Sequence, residues 1–299
     1  MLIVDVKKNI AQNIRQDFIY KYNEKYIDEN SKLQEKTKMS HFLVVRFNLY
    51  IHNLREKVGL LDNNKYLEWV KNRSELFING LLKNIIEQTN KDFKTLIYFD
   101  VEIDSYTQRV IDVISKHKNI HAVLLDLRNS DETFKFEESL RQEVEKLMKN
   151  HSFVTTTRVD CDDLINIGFM ENLIDYCSYI APHTITSNGI VVNFPHGMQI
   201  ANGKSRVLMY NRNPFITLVE PRSKFFDSHK WIRKTVFQFS HDRCDRFCKV
   251  ENAITRFPMW AQVIHEENAM NVEHKYLPTL EYSKGMDEMF SGCLNTMMK

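Results

Sequence analysis

Apolar and polar positions along the chain change their period several times. Near the N-terminus, Ile10, Ile14, Phe18 and Tyr22 recur every four residues in a run rich in Lys, Asn, Asp, Glu and Gln. That spacing predicts one stripe along a helix, so residues 1–38 read as a helical N-terminal extension ending in polar Asp28–Lys38. Strand-like runs follow at His41–Phe47, Thr95–Asp100, His121–Leu125 and Phe153–Asp160. The first is almost continuously apolar, as a strand buried on both faces should be, and the last is rich in Val, Thr and Phe. Between them helices are expected at 64–90, with Tyr66, Trp69, Val70, Phe77, Leu81 and Ile85 on the buried face, and at 105–117 and 132–150. Strand alternating with helix predicts an α/β fold with a mainly parallel sheet flanked by helices, whose ligands gather at the C-terminal strand ends.

Beyond Asp163 the pattern changes. A helix is expected from about Leu164, with Ile167, Met170, Leu173, Ile174 and Cys177 on one side. Short strands at 189–194, 206–210 and 215–219 then give a mixed, partly antiparallel C-terminal lobe. No linker divides the chain, so residues 39–299 form one expected domain, with lobes at 39–163 and 164–299.

Composition adds exclusions. With 43% hydrophobic and 27% charged residues the chain has the make-up of a soluble globular protein. No apolar run reaches the length of a membrane span, and the apolar start MLIVDVKKNI is too short for a secretory signal; a cytoplasmic location is the default expectation, the host cytoplasm if a phage encodes the chain. Five cysteines at irregular spacings argue against a disulfide framework. His241, Cys244 and Cys248 fall short of the four ligands of a structural zinc site. Net charge is only +2, but residues 201–260 hold 12 Lys and Arg against 5 Asp and Glu. Such a stretch suits a diphosphate or a nucleic-acid backbone, or is a solvated surface.

The chemistry centres on Asp160-Cys161-Asp162-Asp163, where an expected strand ends. Asp-x-Asp at a chain turn can aim two carboxylates at one small volume. Mg²⁺ or Mn²⁺ is usually held by one or two carboxylates plus substrate phosphates, and acts as a Lewis acid on a diphosphate leaving group. The competing reading is an N-cap, with Asp163 satisfying free N–H groups of a following helix.

Six segments in order resemble the putative rhamnosyl transferase family, a bacterial group with the GT-A glycosyltransferase fold, over about residues 39–271. They are MSHFLVVRFN at 39–48, Trp69 with Arg73, Leu76 and Phe77, then Gln88-Thr89, Asp92-Phe93 and LIYFD at 96–100. Next come Thr157-Arg158-Val159-Asp160-Cys161-Asp162-Asp163, then Asn213-Pro214-Phe215 through Glu220, and finally Trp260, His265 and Asn268. Residues 1–38 lie outside the resemblance, and Cys161 replaces a more usual polar residue.

The resemblance implies a GT-A-like (Rossmann-like) fold and a metal-dependent transfer of sugar from a nucleotide-diphosphate donor to a hydroxyl acceptor, with a saccharide expected. Asp160 would lie near the donor ribose or the metal, Asp162 would coordinate Mn²⁺ or Mg²⁺, and His265 is a candidate third ligand. Asp163 would reach the donor sugar. Arg46, Asn48 and Arg158 would line the nucleotide pocket. An inverting enzyme also needs a general base; Glu220, at the end of an apolar strand, is the first candidate and His241 the alternative. The other reading is a phage-type enzyme glycosylating hydroxymethylated bases in duplex DNA, with Arg222, Lys224, Arg233 and Lys234 on the phosphates. No Gly-rich phosphate loop is present to support a phosphotransferase.

Overall fold

The computed structural model describes residues 36–57, 59–128, 132–185, 188–225, 235–237, 240–265, 273–275, 277, 279–280 and 283–297. Of the helical extension expected over residues 1–38, residues 1–35 lie outside the described residues, as do Arg233, Lys234 and Asn268. Four strands, β1 (Met39–Arg46), β2 (Lys94–Phe99), β3 (Ile120–Leu124) and β4 (Phe153–Asp160), pair in parallel in the order β4-β1-β2-β3. They match the four expected strands to within about two residues at each end.

Side chains alternate across these strands, and both faces are covered. On one face Leu43, Val45, Ile97 and Phe99 cluster with Val70, Phe77, Leu81 and Val110. Those four come from α2 (Asn63–Asn79), α3 (Leu81–Glu87) and α4 (Ser105–Ile114), which follow the short α1 (His52–Lys57). On the other face Phe42, Val44, Leu96 and Tyr98 cluster with Phe136, Leu140 and Val144 of α5 (Glu132–Leu147). Burial on two sides is why β1 reads as nearly unbroken apolar sequence. The helices start where polar residues cap them. Asp62 accepts from Lys65 N ahead of α2, and Asp104 accepts from Tyr106 N and Thr107 N ahead of α4.

Beyond β4 the chain adds β5 (Leu164–Ile165), α6 (Phe169–Ser178), β6 (Ile190–Asn193), β7 (His196–Ala201), β8 (Lys204–Met209) and β9 (Thr217–Pro221). After them come α7 (Arg222–Phe225), β10 (Lys249–Asn252), β11 (Trp260–Ile264), β12 (Thr279–Leu280), α8 (Lys284–Met289) and α9 (Leu294–Met297). The first sheet grows to β10-β6-β9-β4-β1-β2-β3, with β9 antiparallel to β4. A second, mostly antiparallel sheet has the order β12-β8-β7-β11-β5. Strands from beyond residue 164 therefore enter both sheets, and the line between the expected lobes does not divide one sheet from the other.

Two expectations are corrected. The single helix expected over 64–90 is two helices that meet at Gly80, where a Cβ would collide with Met297 and the Leu76 carbonyl. The helix expected from Leu164 begins at Phe169 instead. Leu164 and Ile165 pair antiparallel with Ala261 and Trp260, so these apolar residues belong to a strand rather than to the first turn of a helix. Among the described residues no helix is long and apolar enough to cross a membrane.

The strand order matters for the site. From β1 the chain winds outward to β2 and β3, then returns through α5 to β4 on the other side of β1. The winding direction therefore switches between β1 and β4, and the C-terminal ends of these two strands are the switch point at which open α/β sheets carry their ligand crevice. Arg46 and Asp160 sit opposite each other there, in register.

Candidate functional site

Asp160 is the last residue of β4, and its side chain is 33% exposed at the crevice. Arg46 Nη2 lies 3.8 Å from Asp160 Oδ1, and Arg158 Nη2 lies 3.4 Å from Oδ2. One carboxylate thus faces two guanidinium groups. Burial pushes the Asp160 pKa up, but Arg158 and Arg46 more than offset it and hold the group below the usual carboxylate range. Arg46 is lowered to about 10, by burial and by Arg158 beside it. Both arginines lie over the ring of Phe237, with centroid distances of 4.8 and 5.6 Å. Strand register explains the grouping, because residues 44, 46, 158 and 160 share one face of the sheet.

Asp162 follows in the turn after β4 and is nearly buried. Its Oδ2 accepts from Arg73 Nη2 at 3.2 Å and lies 2.9 Å from His265 Nε2. Despite burial, Arg73 and His265 hold its pKa down to about 2, so it is a carboxylate at neutral pH. Arg73 is itself fixed on three sides. Its Nη1 donates to Cys161 Sγ at 2.8 Å, and its guanidinium lies 4.4 Å from the Trp69 ring centroid. Sequence reasoning placed Arg73 in a motif without assigning it a task; the signal was its position one turn after Trp69 on the buried side of α2. Cys161, pushed up to about 12 chiefly by burial, is an uncharged thiol.

Asp163 has a different environment. It is buried, and its Oδ1 accepts from the backbone N–H of Val263 at 2.9 Å. Burial, then Asp162 and Asp160, push its pKa well up. This bond ties the turn after β4 to β11. No helix begins at Leu164, so Asp163 is not an N-cap.

Asn48 lies beneath the crevice rather than lining it. Its Nδ2 donates to Tyr66 Oη at 3.1 Å and Thr107 Oγ1 at 3.0 Å, and its Oδ1 accepts from Asp100 N at 3.1 Å. It staples β1 to the end of β2, α2 and α4. Around it stands a cluster that sequence reasoning missed. Buried Asp100 accepts from Arg55 Nη2 at 3.0 Å and from both Nη atoms of Arg128, at 2.8 and 2.9 Å. Both guanidinium groups lie over Tyr50, at 4.5 and 4.6 Å from its ring centroid. An apolar strand ending in Asp, LIYFD, was the available signal.

Glu220 is not brought to this place. It is buried on β9 opposite Val154, six residues before Asp160 on β4. At about 3.3 Å per residue the two carboxylates sit roughly 20 Å apart, at opposite ends of β4. Antiparallel pairing is the reason, since the end of β9 lies beside the start of β4. Arg222 is at that far end as well, donating to Asn150 Oδ1 at 2.7 Å. Cys244 and Cys248 of the H-x2-C-x3-C run are buried thiols in an apolar cluster.

The expected metal ligands divide into two groups. Asp162 and His265 touch, whereas Asp160 turns to its two arginines. Among the described residues no three His, Cys, Asp or Glu side chains converge as a ready-made metal site. A carboxylate and an imidazole side by side still fit a divalent cation whose remaining ligands are phosphate oxygens and water.

A model of the family described as "Putative rhamnosyl transferase" matches residues 40–275. No curated protein matches the chain. Among solved structures, one similar chain is the apo structure of the WbbM bifunctional glycosyltransferase, at 13% identity and a TM-score of 0.29. That likeness covers 55% of this chain and 24% of the other, so this chain spans about a quarter of that protein. A score that low carries no functional weight.

Proposed function

The chain belongs to the putative rhamnosyl transferase family, and on that premise we propose that it is a metal-dependent glycosyltransferase that takes its sugar from a nucleotide-diphosphate donor and transfers it to a saccharide hydroxyl. The observation carrying the proposal is the pairing of Asp162 with His265 beside a crevice that also holds Arg46, Arg158 and Arg73. Three guanidinium groups against two ionised carboxylates leave the crevice positive, which suits a diphosphate.

In this reading Asp162 and His265 would hold the cation, and an imidazole in the donor set favours Mn²⁺ over Mg²⁺. The bound cation would supply Lewis-acid stabilisation of charge on the departing diphosphate. Arg73 keeps Asp162 ionised and aimed. Asp160, held by Arg46 and Arg158, offers acceptor oxygens to the donor's ribose hydroxyls. Arg46 and Arg158 offer N–H groups to phosphate oxygens from the same side. Asp163 fixes the turn that carries all of these against β11.

The test is a thermal-shift panel of nucleotide sugars, nucleoside-diphosphate rhamnose included, with and without Mn²⁺. A ligand that binds only the folded state raises Tm by mass action. We expect at least one diphosphate-linked sugar to raise Tm more with Mn²⁺ than without. No shift from any of them would remove the proposal.

A further inference from the structure

His241 opens the short 3-10 helix His241–Arg246, on the β9 side of the crevice. Its Nδ1 lies 2.6 Å from the carbonyl oxygen of Arg212. A carbonyl only accepts, so Nδ1 carries the proton and donates it. The neutral ring then has one tautomer, with the lone pair on Nε2. The edge of the ring meets Tyr210, with centroids 6.0 Å apart at 85°. Burial, the largest influence, keeps the imidazole below its ordinary pKa and so neutral at pH 7. Arg158 opposes charge on the ring, while Asp242 and Asp160 favour it. Strand register brings the Arg212 carbonyl to the Asp160 end of β4: Arg158 N donates to Ile216 O just before β9, and Arg212 precedes that point by four residues.

A neutral imidazole with a fixed tautomer, next to the residues that would hold the donor, has the form of a general base. Its side of the crevice is opposite the one where Asp100, Arg55 and Arg128 sit at the ends of β2 and β3. With the donor held by Arg46, Arg158 and Asp160 at the ends of β1 and β4, an acceptor would approach from the β9 side. We propose that His241 Nε2 takes the proton from the acceptor hydroxyl during transfer, so that the reaction inverts the anomeric carbon.

The inference rests on the glycosyltransferase reading of the same crevice. In the step, the acceptor oxygen forms a bond to the anomeric carbon. The bond from that carbon to the diphosphate oxygen breaks, and its electron pair leaves with the diphosphate. The hydroxyl proton moves to Nε2 and is later lost to solvent.

The test uses the full chain and the nucleotide sugar that shifts Tm most in a panel of UDP-, GDP- and TDP-linked sugars, with water or a methyl glycoside as acceptor. His241→Asn keeps an N–H donor for the Arg212 carbonyl but has no basic nitrogen. Its kcat is expected to fall by about 10²–10⁴-fold with the donor KM within about twofold of wild type. His241→Ala should fall as far and regain about tenfold or more on adding imidazole, a recovery that a purely structural histidine does not give. The product should have inverted configuration. If wild type turns over a donor and His241→Asn keeps kcat within about threefold, or if configuration is retained, the base assignment fails and the glycosyltransferase reading stands. If wild type turns over none of the donors, the parent reading falls, and this assignment with it.

Discussion

His265 Nε2 lies 2.9 Å from Asp162 Oδ2, across 103 residues of sequence. The contact depends on β11, which runs parallel to β7 and antiparallel to β5 and delivers its final residues to the turn after β4. Asp163 secures the same junction by accepting from Val263 N. An imidazole and a carboxylate therefore meet at the rim of the crevice because two sheets are joined there.

Arg73 should behave as a positioning residue. Its guanidinium makes two contacts at once, to Cys161 Sγ and Asp162 Oδ2, and a lysine cannot reproduce that fork. Arg73→Lys is expected to lower kcat by tens of fold and to raise the Mn²⁺ concentration needed for half-maximal rate. Arg73→Met should also lose stability, by about 3 kcal/mol, because it strands a buried carboxylate. Metal-dependent kinetics and urea unfolding of the two variants check this; an unchanged Mn²⁺ requirement in both would count against it.

Asp163 should tolerate loss of its charge but not of its shape. Asp163→Asn keeps an oxygen to accept from Val263 N, and it removes a carboxylate that burial, Asp162 and Asp160 all oppose. Its Tm should equal or exceed that of wild type. Asp163→Ala leaves a buried N–H unpaired, which costs about 1–3 kcal/mol. Equal destabilisation by both substitutions would contradict the structural role.

His41 gives the fold a pH dependence remote from the crevice. It is buried against Thr155 Oγ1, 2.8 Å from its Nδ1. Burial lowers its pKa from 6.5 to about 4, against an opposing effect of Asp92 and with help from His151 and Lys149. The unfolded chain therefore binds the proton more tightly than the folded one. Stability from this group is whole above pH 6.5 and is lost as pH falls toward 4, by up to about 3 kcal/mol. Urea midpoints measured at pH 7 and pH 4.5 should separate more for wild type than for His41→Asn. Equal separation would show that His41 is not the group responsible.

What the sequence disclosed depends on the range of the forces involved. The strands β1 to β4 were legible because burial on two faces writes itself into consecutive residues. The aspartate cluster was legible because it ends one of those strands. His265 carried no local signal, since only the long-range pairing of β11 with β5 and β7 brings it to Asp162. The mistaken helix start at Leu164 has a similar cause. Leu164 and Ile165 continue the apolar spacing of α6, and nothing nearby reveals that Trp260 and Ala261 supply their strand partners. Glu220 looked poised because it ends an apolar strand, yet the antiparallel register of β9 puts that end beside Phe153 and Val154. Arg73 and Asp100 were visible as residues, but their ion pairs depend on packing between elements.

The most direct measurement is nucleoside-diphosphate release from the preferred nucleotide sugar, after chelator treatment and then during back-titration with Mn²⁺, for wild type, Asp162→Asn and His265→Ala. Wild-type turnover should vanish in chelator and return with Mn²⁺. Asp162→Asn should remain at least about 10²-fold below wild type at saturating metal while keeping its fold, because an amide lacks the charge that the cation requires. His265→Ala should need more Mn²⁺ to reach half its maximal rate. Full activity of wild type in chelator, or of Asp162→Asn at any metal concentration, would contradict a metal-dependent transferase centred on Asp162.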